Sequence, residues 1–366
     1  MNLEYRPSGD EKSPVLLKRI AWIDEIRAFA MFCIVLGHTL RGASIYPVIY
    51  AFHVPLCIIV TGYCFSDSGT VKEKIIKIIK RIYCPYIFYA LISILIYIIL
   101  GPIVEGESVV AKFPFFVAGM IYGNGYLGME DGGAMRWNLP LWYLPFITCL
   151  EILQTFIIRL KKKIFNDGLK SDLLFACISF LIAYVGYGLS LKTINLPYAI
   201  ETVIFLSPFF WCGKTLKHII PKTLENKYTV AERAICGVIL IAAGIWMTSS
   251  NGNVDYVCDA YGNSYVIFLL AAFAISVGSI LCIQILPVFQ PLIYLGKNTI
   301  PVLGVHKFPI MAFVVFVLPR VGSAWKRAAF PISLLVALVD IFLCLVANKI
   351  LESIIKEMKR KKVLNQ

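Results

Sequence analysis

Residues 22–40 read WIDEIRAFAMFCIVLGHTL, and this stretch decides what kind of chain the rest must be. At about 20 residues it has the length of a helix that crosses about 30 Å of hydrocarbon. Yet it carries both Arg27 and His38. Eleven helical steps of about 100° bring residue 38 to within about 20° of residue 27, so both side chains fall on one stripe, about 16 Å apart. An ionisable side chain at mid-membrane costs roughly 2.5–3.5 kcal/mol even on the lenient insertion scale. Two of them on one face point to a polar cavity inside a bundle.

Composition carries that reading to the whole chain. Of 366 residues, 59% are hydrophobic and 16% charged, and the mean hydropathy is +0.77. Those values exclude an ordinary soluble domain and imply an all-α, polytopic membrane bundle, expected in the cell (inner, cytoplasmic) membrane. The net charge of +13 is gathered in short clusters between apolar stretches, so it reports topology rather than a nucleic-acid partner. Eleven cysteines contain no CxxC pair, and only Cys258 falls in a predicted outer loop. They read as small packing residues, and no metal-ligand set is expected. The first apolar segment follows a charged start without a small-residue cleavage site, so it reads as a retained helix rather than a signal peptide. Residues 1–20 are expected to form a disordered cytoplasmic tail, residues 21–352 the membrane domain, and residues 353–366 a basic cytoplasmic tail.

About ten transmembrane helices can be placed, near 22–41, 45–65, 83–101, 139–158, 172–191, 197–213, 230–250, 263–284, 298–318 and 328–350. With both termini cytoplasmic, about 26 of the 35 Lys and Arg fall on the inner side, as the positive-inside rule requires. The basic run KEKIIKIIKR, residues 72–81, reads as an interfacial helix on the anionic inner leaflet, serving as a solvated anchor or as a phosphate contact. Residues 101–138 form the longest outer connection, with an apolar patch that suits a re-entrant half-helix and a Gly-rich stretch that suits a lid. No internal repeat is visible, which counts against a transporter.

Asp24 precedes Arg27 by three residues and can hold it in place; Arg suits a phosphate or carboxylate ligand, although it could instead anchor the helix at the interface. His38 is the candidate catalytic base, since a neutral imidazole can take a proton from a hydroxyl as it attacks an acyl carbonyl. In the second span, AFHVPLCIIVTGYCF (51–65) places His53 at a depth similar to His38 on an antiparallel neighbour. Thr61 and Tyr63 lie further inward. Glu151 lies about 18 Å below the outer end of the fourth span, where it could orient a histidine, stabilise a cation or pair with Arg27. Trp142 and Tyr143 fit the interfacial aromatic belt, with Trp142 also a candidate substrate contact. His306 and Lys307 fall mid-membrane in the ninth span, and Asp340 in the last reads as half of a structural pair.

Four stretches in order, IDEIRAFAMFCIVLGH (23–38), FHVPLCIIVTGYCF (52–65), LPLWYLPFITCLE (139–151) and LGKNTIPVLGVH (295–306), give the chain a resemblance to a known family. It resembles the membrane acyltransferase 3 family of bacterial O-acyltransferases, and more narrowly its fucose 4-O-acetylase-like branch. Two departures stand out. Thr61 occupies a position where the family pattern has Ser, and Cys57 and Ile58 occupy a pair of aromatic positions.

The resemblance implies a ten-helix acyltransferase domain that moves an acyl group, usually acetyl, from cytoplasmic acyl-CoA to a glycan hydroxyl. Acetyl-CoA is then the donor substrate, with no tightly bound cofactor, and the partners are the donor, a glycan acceptor and membrane lipids. By the same resemblance His38, Arg27 and Glu151 are the catalytic residues, while His53, Asp24, Thr61, Tyr63, Trp142 and His306 are substrate-binding candidates. Direct attack by the hydroxyl and an acyl-histidine intermediate both remain open. The rival readings are a polytopic transporter or flippase that uses the same residues as a solute or proton path, and a non-catalytic membrane subunit or sensor of the same fold.

Overall fold

The computed structural model describes residues 21–39, 45–106, 108–125, 135, 137–188, 195–224, 229–317 and 329–364. The expected tail at 1–20 and most of the expected lid at 126–136 lie outside the described residues. Fourteen α-helices follow in chain order among them: α1 (Ala21–Thr39), α2 (Tyr46–Cys64), α3 (Val71–Ile78), α4 (Cys84–Glu105), α5 (Ser108–Tyr122), α6 (Tyr143–Ile164) and α7 (Leu169–Gly188) come first. Then come α8 (Ile200–Leu224), α9 (Val230–Asn251), α10 (Tyr265–Ile283), α11 (Gln290–Lys297), α12 (Thr299–Val305), α13 (Lys307–Ala312) and α14 (Ala329–Leu364). Between α9 and α10 stands a small antiparallel hairpin, β1 (Val254–Asp255) and β2 (Ala260–Tyr261), paired Val254 to Tyr261 and Asp255 to Ala260.

Among the described residues, seven helices are long and apolar enough to cross a membrane. Each of the ten predicted spans falls on helical segments, but three fail on composition or continuity. α1 carries Asp24, Glu25 and Arg27 in one turn, and α8 carries Glu201, Lys214, Lys217 and His218. The stretch near 298–318 is broken at His306 into α12, α13 and a π-helical turn, Phe313–Val317. The apolar patch after residue 108 forms the 15-residue helix α5. α14 runs without a break to Leu364, so residue 352 marks no helix end.

Packing sorts the helices into a centre and a rim. In the apolar 18-residue window of Leu139–Ile164, 67% of residues are buried, against 11% in that of Val230–Asn251. The rim exposes Ile235, Val238, Ile239 and Trp246 of α9 and Leu91, Leu95 and Ile99 of α4, a surface that lipid tails can cover without penalty. In the centre, small residues let backbones touch. A methyl on Gly62 of α2 would collide with the Phe210 carbonyl of α8, and one on Gly213 of α8 with the Ile59 carbonyl of α2. Close approach of this kind is how helices gain dispersion contact where no hydrophobic drive separates them from lipid.

The basic loops gather at the end where α1 begins. Lys161 is buried and paired with Asp172 and, at 2.9 Å, with Asp167. Asp172 also lies 3.0 Å from His218. Lys162 links Asp167 at 3.1 Å to Asp67 at 3.5 Å, and Lys214 reaches Asp67 at 3.1 Å. Burial alone would raise the Asp67 carboxyl, but Lys214, Lys162 and Lys74 outweigh it and hold it below its ordinary value. These pairs stitch the α2–α3 loop to α6, α7 and α8. A capping box starts α3, with the Glu73 N–H donating to Thr70 Oγ1 at 3.2 Å and the Thr70 N–H to Glu73 Oε2 at 2.9 Å, satisfying two orphan donors.

Candidate active site

Two cavities lie against the polar face of α1. The larger, about 800 Å³, is lined by Arg27, Thr61, Lys80, Arg81, Glu151 and Lys297 among others. The smaller, about 300 Å³, is lined by His38, Tyr46, Tyr50, His53, Trp142, Asp255 and Lys307 among others. Three side chains belong to both walls: Ile34, Tyr143 and Leu303. Arg27, Ile34 and His38 stand at steps of seven and four residues, the repeat of one helical face. The predicted stripe is therefore a wall with a cation below, an apolar collar midway and an imidazole above.

In the large cavity, Arg27 lies 3.7 Å from Asp24, whose carboxylate is buried. Gly296 of α11 packs against the Asp24 carbonyl with no room for a methyl, and Glu25 accepts the Phe289 N–H at 2.7 Å. Those two contacts dock α11 on α1 and bring Lys297 to the cavity wall. Across from them the chain passes from α3 to α4 through a π-helical turn, Ile79–Tyr83. Such turns alter helical phase and recur at functional sites, and this one carries Lys80 and Arg81 onto the wall. Arg81 pairs with the buried Glu151 carboxylate. Of the three roles open to Glu151, the structure gives it the cation, and the cation is Arg81 rather than Arg27. The lining holds four cations, Arg27, Lys80, Arg81 and Lys297, against two carboxylates, Glu151 and Glu352. That surplus suits an anionic ligand with several oxygens.

The small cavity is aromatic and hydroxylic. Tyr50 places its hydroxyl 3.4 Å from His38 Nδ1, stacks on Tyr46 at 4.1 Å and meets His53 edge-on at 5.0 Å. His53 donates its Nδ1 proton to the Ile49 carbonyl at 2.7 Å, which leaves Nε2 as an acceptor. The hairpin closes over this site. Tyr256 donates its hydroxyl to the Tyr50 carbonyl at 2.6 Å and meets the His53 ring at 5.6 Å. The hairpin is itself anchored by Asp259, which accepts from the Thr202 hydroxyl at 3.0 Å and the Tyr261 hydroxyl at 2.7 Å. Burial pushes the Asp259 carboxyl up to about 7.

His38 and His53 thus face one cavity, while Arg27, Thr61 and Glu151 face the other. Thr61 turns its hydroxyl back to the Cys57 carbonyl at 2.9 Å. Asp24 stands behind Arg27. Tyr63 lines neither cavity and packs edge-on against Trp22 at 5.1 Å. His306 is fully buried beside His38, their ring centres 5.3 Å apart. Trp142 and Tyr143 are not belt residues, because Trp142 is 7% exposed and both line cavities. Asp340 accepts from the Cys344 thiol at 3.7 Å rather than from a cation. Arg81, Tyr50, Lys297 and Asp255 were not singled out by the sequence. For Arg81 a signal existed, since a buried Glu151 demands a cation and the run 72–81 ends at one.

The fold and these two cavities against one helix face define a multi-pass helical membrane protein with a polar centre. A family model described as an acyltransferase domain matches residues 20–348, and the chain belongs to that family, the membrane acyltransferase 3 family. No curated protein matches the chain, and no solved structure does.

Proposed function

We propose that the protein is an O-acyltransferase, using acetyl-CoA, that acylates a hydroxyl of a cell-surface or lipid-linked glycan. The observation that carries this reading is the pair of cavities meeting at Ile34, Tyr143 and Leu303. The positive-inside rule assigns the basic end to the cytoplasm, where acyl-CoA would enter. Its phosphates suit the guanidinium groups of Arg27 and Arg81, which can grip oxygens in pairs. The pantetheine arm would then pass the collar and bring the thioester to His38.

In the direct route His38 takes the proton of the acceptor hydroxyl, the oxygen attacks the thioester carbonyl, and the C–S bond breaks. The departing thiolate recovers the proton from the imidazolium. His53 and Tyr50 would supply hydrogen bonds to the acceptor. In the alternative route His38 carries the acyl group before the hydroxyl arrives. The test is radiolabelled acetyl-CoA supplied to membranes holding the wild type or His38→Ala, with label counted in the surface polysaccharide. Full transfer by His38→Ala removes the mechanism, and solute movement without acetyl-CoA consumption would favour a transporter.

A further inference from the structure

His306 sits where a helix stops. Pro309 has no N–H to give the Val305 carbonyl, and the chain turns at His306 between α12 and α13. The imidazole is 0% exposed. Its Nδ1 lies 3.1 Å from the Val302 carbonyl and 3.0 Å from that of Leu303, so Nδ1 carries the proton and Nε2 is a bare acceptor. Among the described residues this Nε2 is buried without a hydrogen-bond partner. An orphaned acceptor costs about 1–3 kcal/mol, so a cavity-building helix break that leaves one there calls for a use.

The nearest ring is His38, 5.3 Å between centres and inclined by 35°. Two imidazoles joined by an N–H···N bond of about 3 Å have centres about 5 Å apart. The two rings thus stand at hydrogen-bonding separation, and a turn of the His38 ring can bring its Nε2 toward His306, as catalytic hydrogen bonds commonly tighten only when substrate is bound. The other nitrogen of His38, Nδ1, faces the Tyr50 hydroxyl at 3.4 Å.

We infer that His306 is the positioning partner of His38: its bare Nε2 accepts the His38 Nε2–H and so keeps the His38 Nδ1 lone pair aimed into the small cavity. The inference rests on the base role given above to His38. It adds what a base on a helix needs, a second group that fixes which nitrogen holds the proton. His306 does not touch the substrate. It acts through His38.

The full-length chain in lipid nanodiscs, labelled with ¹⁵N-histidine, tests this directly, because four histidines give four pairs of ring-nitrogen signals and His38→Asn identifies one pair. With acetyl-CoA bound, the wild type should show His38 protonated on Nε2. His306→Phe should shift that signal toward mixed tautomers and lower kcat by about tenfold, the scale of one lost hydrogen bond. KM for acetyl-CoA should stay unchanged. His306→Gln, which keeps an acceptor, should recover most of the rate. An unchanged His38 tautomer in His306→Phe, or equal losses in the Phe and Gln variants, overturns the inference. Full activity of His38→Ala would instead overturn the proposed function, a separate result.

Discussion

The two cavities share one helix face and differ in nearly everything else. The large one is walled by paired charges, Arg27 with Asp24 and Arg81 with Glu151. In the small one, Tyr46, Tyr50, Trp142 and two histidines stand beside a single acid and a single Lys. Charge in a low-dielectric interior is affordable only where it is paired and hydrogen-bonded, so a wall that gathers four cations also holds counter-ions. On the proposed function the small cavity has a different need, a base whose tautomer is fixed by its neighbours, and there hydroxyls and neutral rings outnumber the single acid.

Substitutions can break this division of labour. The largest effect is expected from His38→Ala, which should lower acetyl transfer by about 10²–10⁴, the range for removing a general base. Binding of CoA, measured by isothermal titration, should be kept. Arg27→Ala should do the reverse, raising KM for acetyl-CoA by about 10–100-fold for the loss of charge-assisted hydrogen bonds worth about 1.5–3 kcal/mol, with a smaller change in kcat. A variant that moved kcat alone would count against the assignment of the large cavity to the donor. Ile34→Phe narrows the collar and should cut transfer by about tenfold, about 1.4 kcal/mol of barrier, while both cavities still bind their ligands.

The smallest effect concerns the hairpin over the small cavity. The folded Asp259 carboxyl sits near 7, above its ordinary 3.8, so the folded chain holds a proton that the unfolded chain releases. Its contribution is complete below about pH 4 and is lost as pH rises toward about 7. Hydrogen exchange of residues 254–261 should accelerate between pH 5 and pH 8 beyond its intrinsic increase, and Asp259→Asn should flatten that dependence.

What the sequence disclosed followed helical periodicity. The Arg27–His38 stripe, the Asp24 contact and the shared cavity of His38 and His53 depend on positions within one helix or on the depth of two antiparallel neighbours. Arg81 escaped notice because its partner Glu151 is 70 residues away and because a π-turn shifts the face that a regular helix would present. Trp142 misled because an aromatic residue at a helix end has the same spacing whether it meets headgroups or a cavity. The ninth span read as continuous, although Pro309 and the turn at His306 divide it. The hairpin left one hint, the polar segment around Cys258, and nothing in that segment announced that Tyr256 would reach the backbone of α2.

The collar of Ile34, Tyr143 and Leu303 has a consequence for the energised cell. Each elementary charge moved across 100 mV releases about 2.3 kcal/mol, so an uninterrupted watery duct from face to face would drain the proton-motive force continuously. A mostly apolar junction of this kind resists hydrated ions, and on the proposed function it would still pass an uncharged acyl chain. On the proposed function, an acyl group would then cross an insulator that stays electrically sealed.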